Sequence, residues 1–135
     1  MASTTIEQAL YVHLTGDTDI TADLAKRIFL AKAEDNTTLP YAVYTVISDP
    51  HDAFAFDDVN TGQPRIQFDI YATDRYDALA IAQNVRERVR HYSGTWDSMS
   101  IHRCEVGGTR LFAEPDRSDL FQATLDIMPL YVDAS

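Results

Sequence analysis

Residues 65–89 read RIQFDIYATDRYDALAIAQNVRERV, a strand pattern followed directly by a helix pattern. In the first part, Ile66, Phe68 and Ile70 alternate with polar residues. Because successive side chains of a strand point to opposite faces, this alternation predicts a sheet with one covered face. The other face is expected to be wet or covered by a partner, and Tyr71 on the polar side favours a partner.

The second part predicts a long helix from Arg75 to His91. Asp74 precedes it as a good N-cap, and Gly94 is expected to terminate the segment. An apolar stripe at helical spacing is expected to face the core. That stripe consists of Leu79, Ala82, Val85 (or Arg86) and Val89.

The N-terminal region predicts another helix. A capping box over Thr4–Glu7 starts it, apolar residues at helical spacing continue to Leu14, and Gly16 is expected to stop it. A short turn of helix is expected over residues 21–25.

Two strands and an acidic loop separate this region from residue 65. A brief strand is expected over residues 27–31, and a longer one over 41–48, which is rich in β-branched and aromatic residues. Residues 49–62 are predicted to form a long acidic loop.

Two more strands are predicted after the long helix, over residues 99–106 and 120–132. Proline cannot donate to a strand ladder, so Pro129 predicts that the second strand ends at a sheet edge or a bulge. Gly107 and Gly108 are too few to cradle a phosphate, and they predict a bulge or a turn.

This order of elements predicts an α+β fold. Strands that run together between two helices favour a mainly antiparallel sheet of about five strands, with two main helices packed on one face. The chain has 135 residues and shows neither a repeat nor a linker, so residues 1–135 are expected to form a single domain.

The amino-acid composition disfavours some classes of function. The formal net charge is −10, which opposes binding to nucleic-acid phosphates and to anionic lipid. Cys104 is the only cysteine, which excludes a disulfide within the chain. The sequence shows neither a signal peptide nor an apolar run of about 20 residues. These features predict a soluble protein made in a cytoplasm.

The sequence contains no recognisable catalytic motif. The four histidines lack metal-ligand spacing, and each is expected to be structural or on the surface. His102 and Cys104 would share one face of a strand, which alone does not make a nucleophile. The acids of residues 49–58 do not follow a calcium-loop pattern and are expected to be solvated. We therefore predict no catalytic residue, no cofactor and no metal.

Several residues are instead candidates for contacts with partners. Phe54 and Phe56 lie in the acidic loop, where they either anchor an interface or form a small local core. The basic residues Arg86, Arg88 and Arg90 of the long helix are expected to pair with acidic neighbours rather than with DNA. The interface candidates are Phe54, Phe56, Asp57, Asp58, Tyr71, Arg86 and Arg90.

Five segments, taken in order, resemble the tail-terminator (tail-completion) family of long-tailed bacteriophages and related virus-like particles. They are IEQALYVHLTGD (residues 6–17), AKRIFLAKA (25–33), LPYAVYTVISDP (39–50), RIQFDIYATDRYDALAIAQNVRERV (65–89) and DLFQATLDIMPLYV (119–132). The loop at residues 33–38 departs from the family, which often has Pro and Gly there. Each segment alone is unspecific, and their order along nearly the whole chain carries the resemblance.

The resemblance implies a non-enzymatic virion protein that is assembled in the host cytoplasm. It would form a ring, usually a hexamer, on the head-proximal end of the tail tube, stop tube growth and offer a surface to the head. Its partners would be copies of itself, the tail tube protein and a head–tail connector (neck) protein. DNA would pass through the lumen without specific binding, and no membrane or cofactor is implied.

Other readings stay open at this point. One is a different neck, connector or tube component. Another is a small α+β ligand-binding module or enzyme, which would need a pocket with convergent polar groups. A nucleic-acid-binding domain is disfavoured by the acidic charge.

Overall fold

The computed structural model describes residues 5–33, 37–48, 60–97, 99–113 and 120–133. The helices in these ranges are α1 (Ile6–Thr15), α2 (Thr18–Leu24) and α3 (Arg75–Val89). The strands are β1 (Ile28–Leu30), β2 (Tyr41–Ser48), β3 (Asn60–Gly62), β4 (Arg65–Ala72), β5 (Gly94–Trp96), β6 (Met99–Val106), β7 (Arg110–Ala113) and β8 (Phe121–Asp133).

One sheet contains all the described strands, in the order β1-β2-β4-β8-β6-β5. Only β1 and β2 pair in parallel, so the predicted α+β class with a mainly antiparallel sheet is confirmed. The sheet has more strands than the five expected, because three short strands add to it. Two of them, β3 and β7, pair with the long central strand β8.

The two faces of the sheet differ in composition. On one face, apolar residues from β2, β4 and β8 form cross-strand rows, for example Tyr44–Phe68–Leu125. This face joins residues of all three helices in the core cluster, and the Tyr44 hydroxyl donates to the Glu7 carbonyl of α1 at 2.9 Å. The opposite face, which we call the outer sheet face, contributes no described residue to that core.

Helix α3 follows the prediction at its start and departs from it at its end. The Asp74 side chain accepts from the Tyr76 amide at 2.8 Å, as an N-cap does. The helix ends at Val89 and not at Gly94, which begins β5. His91 instead takes a left-handed conformation (φ 57°), and its amide donates to the Cys104 carbonyl in β6 at 2.8 Å. A contact with the sheet therefore ends the helix early.

The buried stripe of α3 is wider than predicted. It consists of Ala78, Ile81, Ala82, Val85 and Val89. Leu79, expected in the core, is 37% exposed, so its assignment to the core is wrong. The small side chains of Ala78 and Ala82 let the helix lie close to the sheet, which leaves Leu79 at the margin of the contact.

Helix α1 begins one residue later than the predicted capping box. Thr5 is the N-cap, and its hydroxyl accepts from the Gln8 amide at 3.2 Å. Gly16 ends the helix, as predicted. Residues 60–62, expected in a loop, form β3 because the last residues of β8 provide a ladder for them.

Pro129 was predicted to lie at a sheet edge or a bulge. It lies in the central strand β8 and not at an edge, and the strand that pairs with it, β6, has a bulge between Ile101 and Arg103, close to this pairing. The Gly107 amide donates to the Asp126 carbonyl, which shows that Asp126 directs its backbone toward β6 and β7. By alternation, Pro129 directs its missing N–H to the opposite side. On that side β3 has ended at Gly62 and β4 has not begun, so no ladder bond is lost there.

Strands β6 and β7 flank β8 one after the other as an interrupted strand. Val106 pairs with Ile127 and Arg110 pairs with Thr124, so the intervening residues form a bulge. The bulge or turn predicted at Gly107 and Gly108 is confirmed.

Candidate interaction surfaces

The outer sheet face carries a buried hydrogen-bonded network. The Thr124 hydroxyl donates to Asp69 Oδ1 at 2.7 Å, and Gln67 Nε2 donates to both carboxylate oxygens of Asp69 at 3.1 and 3.3 Å. Gln122 Nε2 in turn donates to the Thr124 hydroxyl at 3.1 Å. Asp69 and Thr124 are buried although no described helix packs on them, so these contacts satisfy polar groups that water does not reach.

On the same face, the carboxylate of Asp126 is largely buried by its contacts with two exposed arginines. Asp126 accepts from Arg65 at 2.8 Å and from Arg110 at 3.4 Å. The Asp126 side chain is 11% exposed, whereas those of Arg65 and Arg110 are 54% and 48% exposed. Arg103, at 62%, lies on the neighbouring strand β6. In a protein of net charge −10, this face therefore offers guanidinium groups to a partner.

A row that crosses the strands at one end of this face contains three aromatic side chains. Tyr41 pairs with Tyr71, Tyr71 with Gln122, and Gln122 with Phe112. The rings of Tyr41 and Tyr71 stack with their centroids 5.1 Å apart. Tyr71, a predicted interface residue, thus lies partly buried in an aromatic pair on the polar face, and its contact with a partner stays a prediction.

Strand β7 is the most exposed strand with apolar side chains. All four of its residues are exposed, and Leu111 and Phe112 reach 40% and 49%. Phe112 and Arg110 belong to the outer sheet face, since they pair with Gln122 and Thr124. Strand β7 was not predicted, and its only signal is the short run RLFA after the two glycines.

A groove of about 240 Å³ opens between α2 and α3, beside the end of β4. Its walls include the small or apolar residues Ala22, Pro40, Ala72 and Ala80. Asp23 and Asp77 also line it, and neither carboxylate makes a hydrogen bond or ion pair within the described ranges. This volume lies below the ~300–1,000 Å³ typical of small-molecule sites. We call it the α2–α3 groove.

The arginines of α3 have different environments. Arg86 Nη1 donates to the Gly107 carbonyl at 2.9 Å and so joins the helix to the β6–β7 bulge. Arg88 donates to the His13 carbonyl at 3.2 Å and lies 3.8 Å from Asp17, which confirms an acidic neighbour for this residue. Arg90 is exposed. The remaining interface candidates, Phe54, Phe56, Asp57 and Asp58, lie outside the described residues.

Cys104 is buried and chemically quiet. Burial raises the pKa of its thiol to about 12, despite an opposing hydrogen bond with the Met128 backbone. A bulge at His102 shifts the register of β6, so exposed His102 and buried Cys104 do not share a face. The expectation that they share one is wrong.

His13 has a structural position, as predicted. Its ring stacks on Trp96 at 4.9 Å and meets the edge of Tyr92 at 4.5 Å, and its Nε2 donates to the Arg88 carbonyl at 3.2 Å. Desolvation by burial lowers the pKa of His13 below 6.5. Trp96 Nε1 is buried beside it and finds no hydrogen-bond partner within the described part of the chain.

Neither a metal-binding cluster nor a helix long and apolar enough to cross a membrane occurs in the described ranges. No group of three or more His, Cys, Asp or Glu side chains there is placed to hold a metal ion. Among the helices α1–α3, none has both the length and the apolar character that crossing a bilayer requires.

Comparison with known proteins places the chain among tail components. A sequence model described as "Tail completion protein gp17" matches residues 8–131. A solved chain from "Virion of native gene transfer agent (GTA) particle" superposes with a TM-score of 0.71 at 10% identity, over 94% of each chain. At that identity the superposition shows a shared fold. Among curated protein sequences, none matches significantly.

Proposed function

Since the chain belongs to the tail completion protein gp17 family, we propose that it caps the head-proximal end of a tail tube as a ring of identical subunits. The family is one of structural virion proteins and not of enzymes, so the protein is a structural component of a phage-like tail. The match over residues 8–131 is the observation that carries the proposal.

In the proposed ring, six subunits meet head to tail and stop further growth of the tube. Such a ring needs two different surfaces on each subunit, because a cyclic assembly with more than two members uses heterologous contacts. The exposed strand β7 and the α2–α3 groove are two different surfaces of the subunit. Their existence supports a ring without fixing the number of subunits.

The proposed partners are the tail tube protein on one side of the ring and a neck protein on the other. Phe54, Phe56, Asp57 and Asp58 remain proposed contacts to them. Tyr71 and Arg90 also remain, because both are accessible on the described surface. Arg86 is half-buried and already bonded to Gly107, so we propose for it an indirect role, in which it holds the β6–β7 bulge in place.

Passage of DNA through the ring is proposed to occur without specific binding. The net charge of −10 supports this proposal, because an acidic surface opposes the attachment of phosphates.

Electron microscopy of particles assembled without this protein tests the proposed function. We expect overlong tubes without heads, next to separate heads, and we expect added wild-type protein to restore joined particles. Particles with normal tails on normal heads would contradict the proposal. Gold labelling of a tagged chain separates the alternatives: label at the head-proximal end supports a terminator, and label along the tube indicates a tube component.

A further inference from the structure

We propose that Arg110 and Phe112 of β7 dock into the α2–α3 groove of a neighbouring copy of this chain and form the contact that closes the ring. This inference rests on the proposed function, which supplies the neighbouring copy. The new part is the identity of the residues on each side of the contact between copies. Phe112 would fill the groove, and Arg110 would bind the carboxylates of Asp23 and Asp77.

The exposed side of the contact is β7. Its Leu111 and Phe112 are 40% and 49% exposed, although large apolar side chains of this kind stabilise a protein when they are removed from water. Phe112 and Arg110 alternate with Leu111 and therefore project on one side, the outer sheet face. Phe and Arg are both enriched in protein interfaces relative to the rest of the surface.

The receiving side is the α2–α3 groove. Ala22, Ala72 and Ala80 contribute only methyl groups to its wall, so the space is open to a side chain from outside. Its volume of about 240 Å³ suits an inserted aromatic side chain better than a drug-sized ligand, for which ~300 Å³ is a lower bound.

The charges of the two surfaces are complementary. The Asp23 and Asp77 carboxylates are exposed in the groove and make no ion pair with a described residue. The Arg27 guanidinium at the groove donates to the backbone carbonyls of Pro40 and Asp23 instead, at 2.9 and 3.3 Å. Arg110 is held only loosely by Asp126, at 3.4 Å, whereas Arg65 binds the same carboxylate at 2.8 Å. Because a guanidinium carries five N–H donors, Arg110 keeps donors for a carboxylate of a neighbour. Like charges within each surface disfavour the symmetric contacts of β7 with β7 and of groove with groove.

The two surfaces lie at the same end of the sheet. Phe112 lies in the same cross-strand row as Tyr41, and Tyr41 directly follows Pro40 of the groove wall. Ala72 of the groove wall also pairs with Phe121, which pairs with Ala113 at the end of β7. β7 and the groove are different surfaces of one copy, and a ring needs such heterologous contacts.

Cysteine cross-linking between differently tagged copies tests the contact. One copy carries Phe112→Cys and the other Ala80→Cys, and both are assembled on tail tubes before mild oxidation. We expect a disulfide-linked dimer that carries both tags. Leu79→Cys replaces Ala80→Cys as the matched control, since it is exposed on the same helix but turned by about 100°. Native Cys104 is buried and adds no background.

Charge exchange provides a second test, with folding checked by circular dichroism. Arg110→Glu and Asp77→Arg are each expected to reduce the number of capped tubes about tenfold or more. The combination of both changes in one chain should recover most of that loss. Lys32→Glu, at an exposed position just after β1 that belongs to neither proposed surface, is the control and should cap nearly as well as the wild type.

The outcomes separate the two proposals. Capped tubes without the cross-link, together with normal capping by both single charge variants, would overturn the proposed contact and leave the ring intact. Folded wild-type protein that never caps tubes would overturn the proposed function itself. Equal cross-linking by Leu79→Cys and Ala80→Cys would also overturn the contact, because it would show random collision.

Discussion

Replacement of Thr124 by Val tests whether the network on the outer sheet face stabilises the fold. The Thr124 hydroxyl is 2.7 Å from Asp69 Oδ1, and the residue is only 2% exposed. Val keeps the shape but removes the donor, so Asp69 retains only Gln67. A buried hydrogen bond to a charged group contributes roughly 1.5–3 kcal/mol, and we expect unfolding to become easier by about 2 kcal/mol. For a chain of this length that loss corresponds to a decrease in Tm of roughly 6–8 °C.

Urea unfolding followed by circular dichroism measures this change at neutral pH. Thr45→Val is the matched control, since Thr45 lies on the same face opposite Gln67 but makes no hydrogen bond to a described residue through its side chain. We expect the control to change the free energy of unfolding by less than about 0.5 kcal/mol. A Thr124→Val protein as stable as the control would refute the reasoning, because it would show that Asp69 is satisfied without the hydroxyl.

Three further predictions concern buried or strained positions. Burial lowers the pKa of His13, so the unfolded chain binds a proton at this residue more readily than the folded chain does. The free energy of unfolding should therefore be highest above about pH 6.5 and decrease as the pH falls below it. The variant His13→Gln should show a weaker pH dependence in urea titrations. Burial raises the pKa of Cys104 to about 12, so a thiol reagent at pH near 8 should label the protein only after unfolding, and stoichiometric labelling of the folded protein would contradict this. Ala31 has φ 68°, so Ala31→Gly should stabilise the fold by about 0.5 kcal/mol or more, whereas Ala33→Gly should destabilise it.

Elements with a strong local pattern could be predicted from the sequence. Strands β2 and β6 have the predicted bounds, Tyr41–Ser48 and Met99–Val106. Their residues alternate or are β-branched over eight positions, which is a signal that a single chain carries within itself. The short strands β3, β5 and β7 have three or four residues each, too few for a period. They form because the sheet, above all the long strand β8, offers them a backbone to pair with.

The candidate contact surfaces were harder to predict, because they join residues that are distant in sequence. Asp126 binds Arg65 and Arg110, which lie 61 and 16 residues away. The groove combines residues of α2, Pro40, the end of β4 and α3. Spacing along the chain indicates which residues share a face of one element, but pairing between elements depends on the register of the whole sheet. At the His102 bulge, a single extra residue shifts the register of β6, so that His102 and Cys104 lie on different faces of the strand.

The distribution of charge relates the acidic composition to assembly. On the outer sheet face, Asp69 and Asp126 are buried under donors, while Arg65, Arg103 and Arg110 remain exposed. On the helical side, the carboxylates of the α2–α3 groove make no ion pair within the described ranges. Exposed ion pairs alone contribute about 0–1 kcal/mol, so in the proposed ring the burial of Phe112 supplies most of the affinity and the charges select the orientation.

The arrangement of the two contact surfaces also bears on the growth of the tube. In the proposed ring, each copy uses its β7 and its α2–α3 groove on its two neighbours within a single layer. A closed layer then has neither a free β7 nor a free groove to receive another copy. Growth of a tube requires a surface along its axis that matches the next subunit. A ring that closes through β7 and the groove can bind the tube once and still give no template for a second layer, which is the physical requirement for a protein that ends a tube.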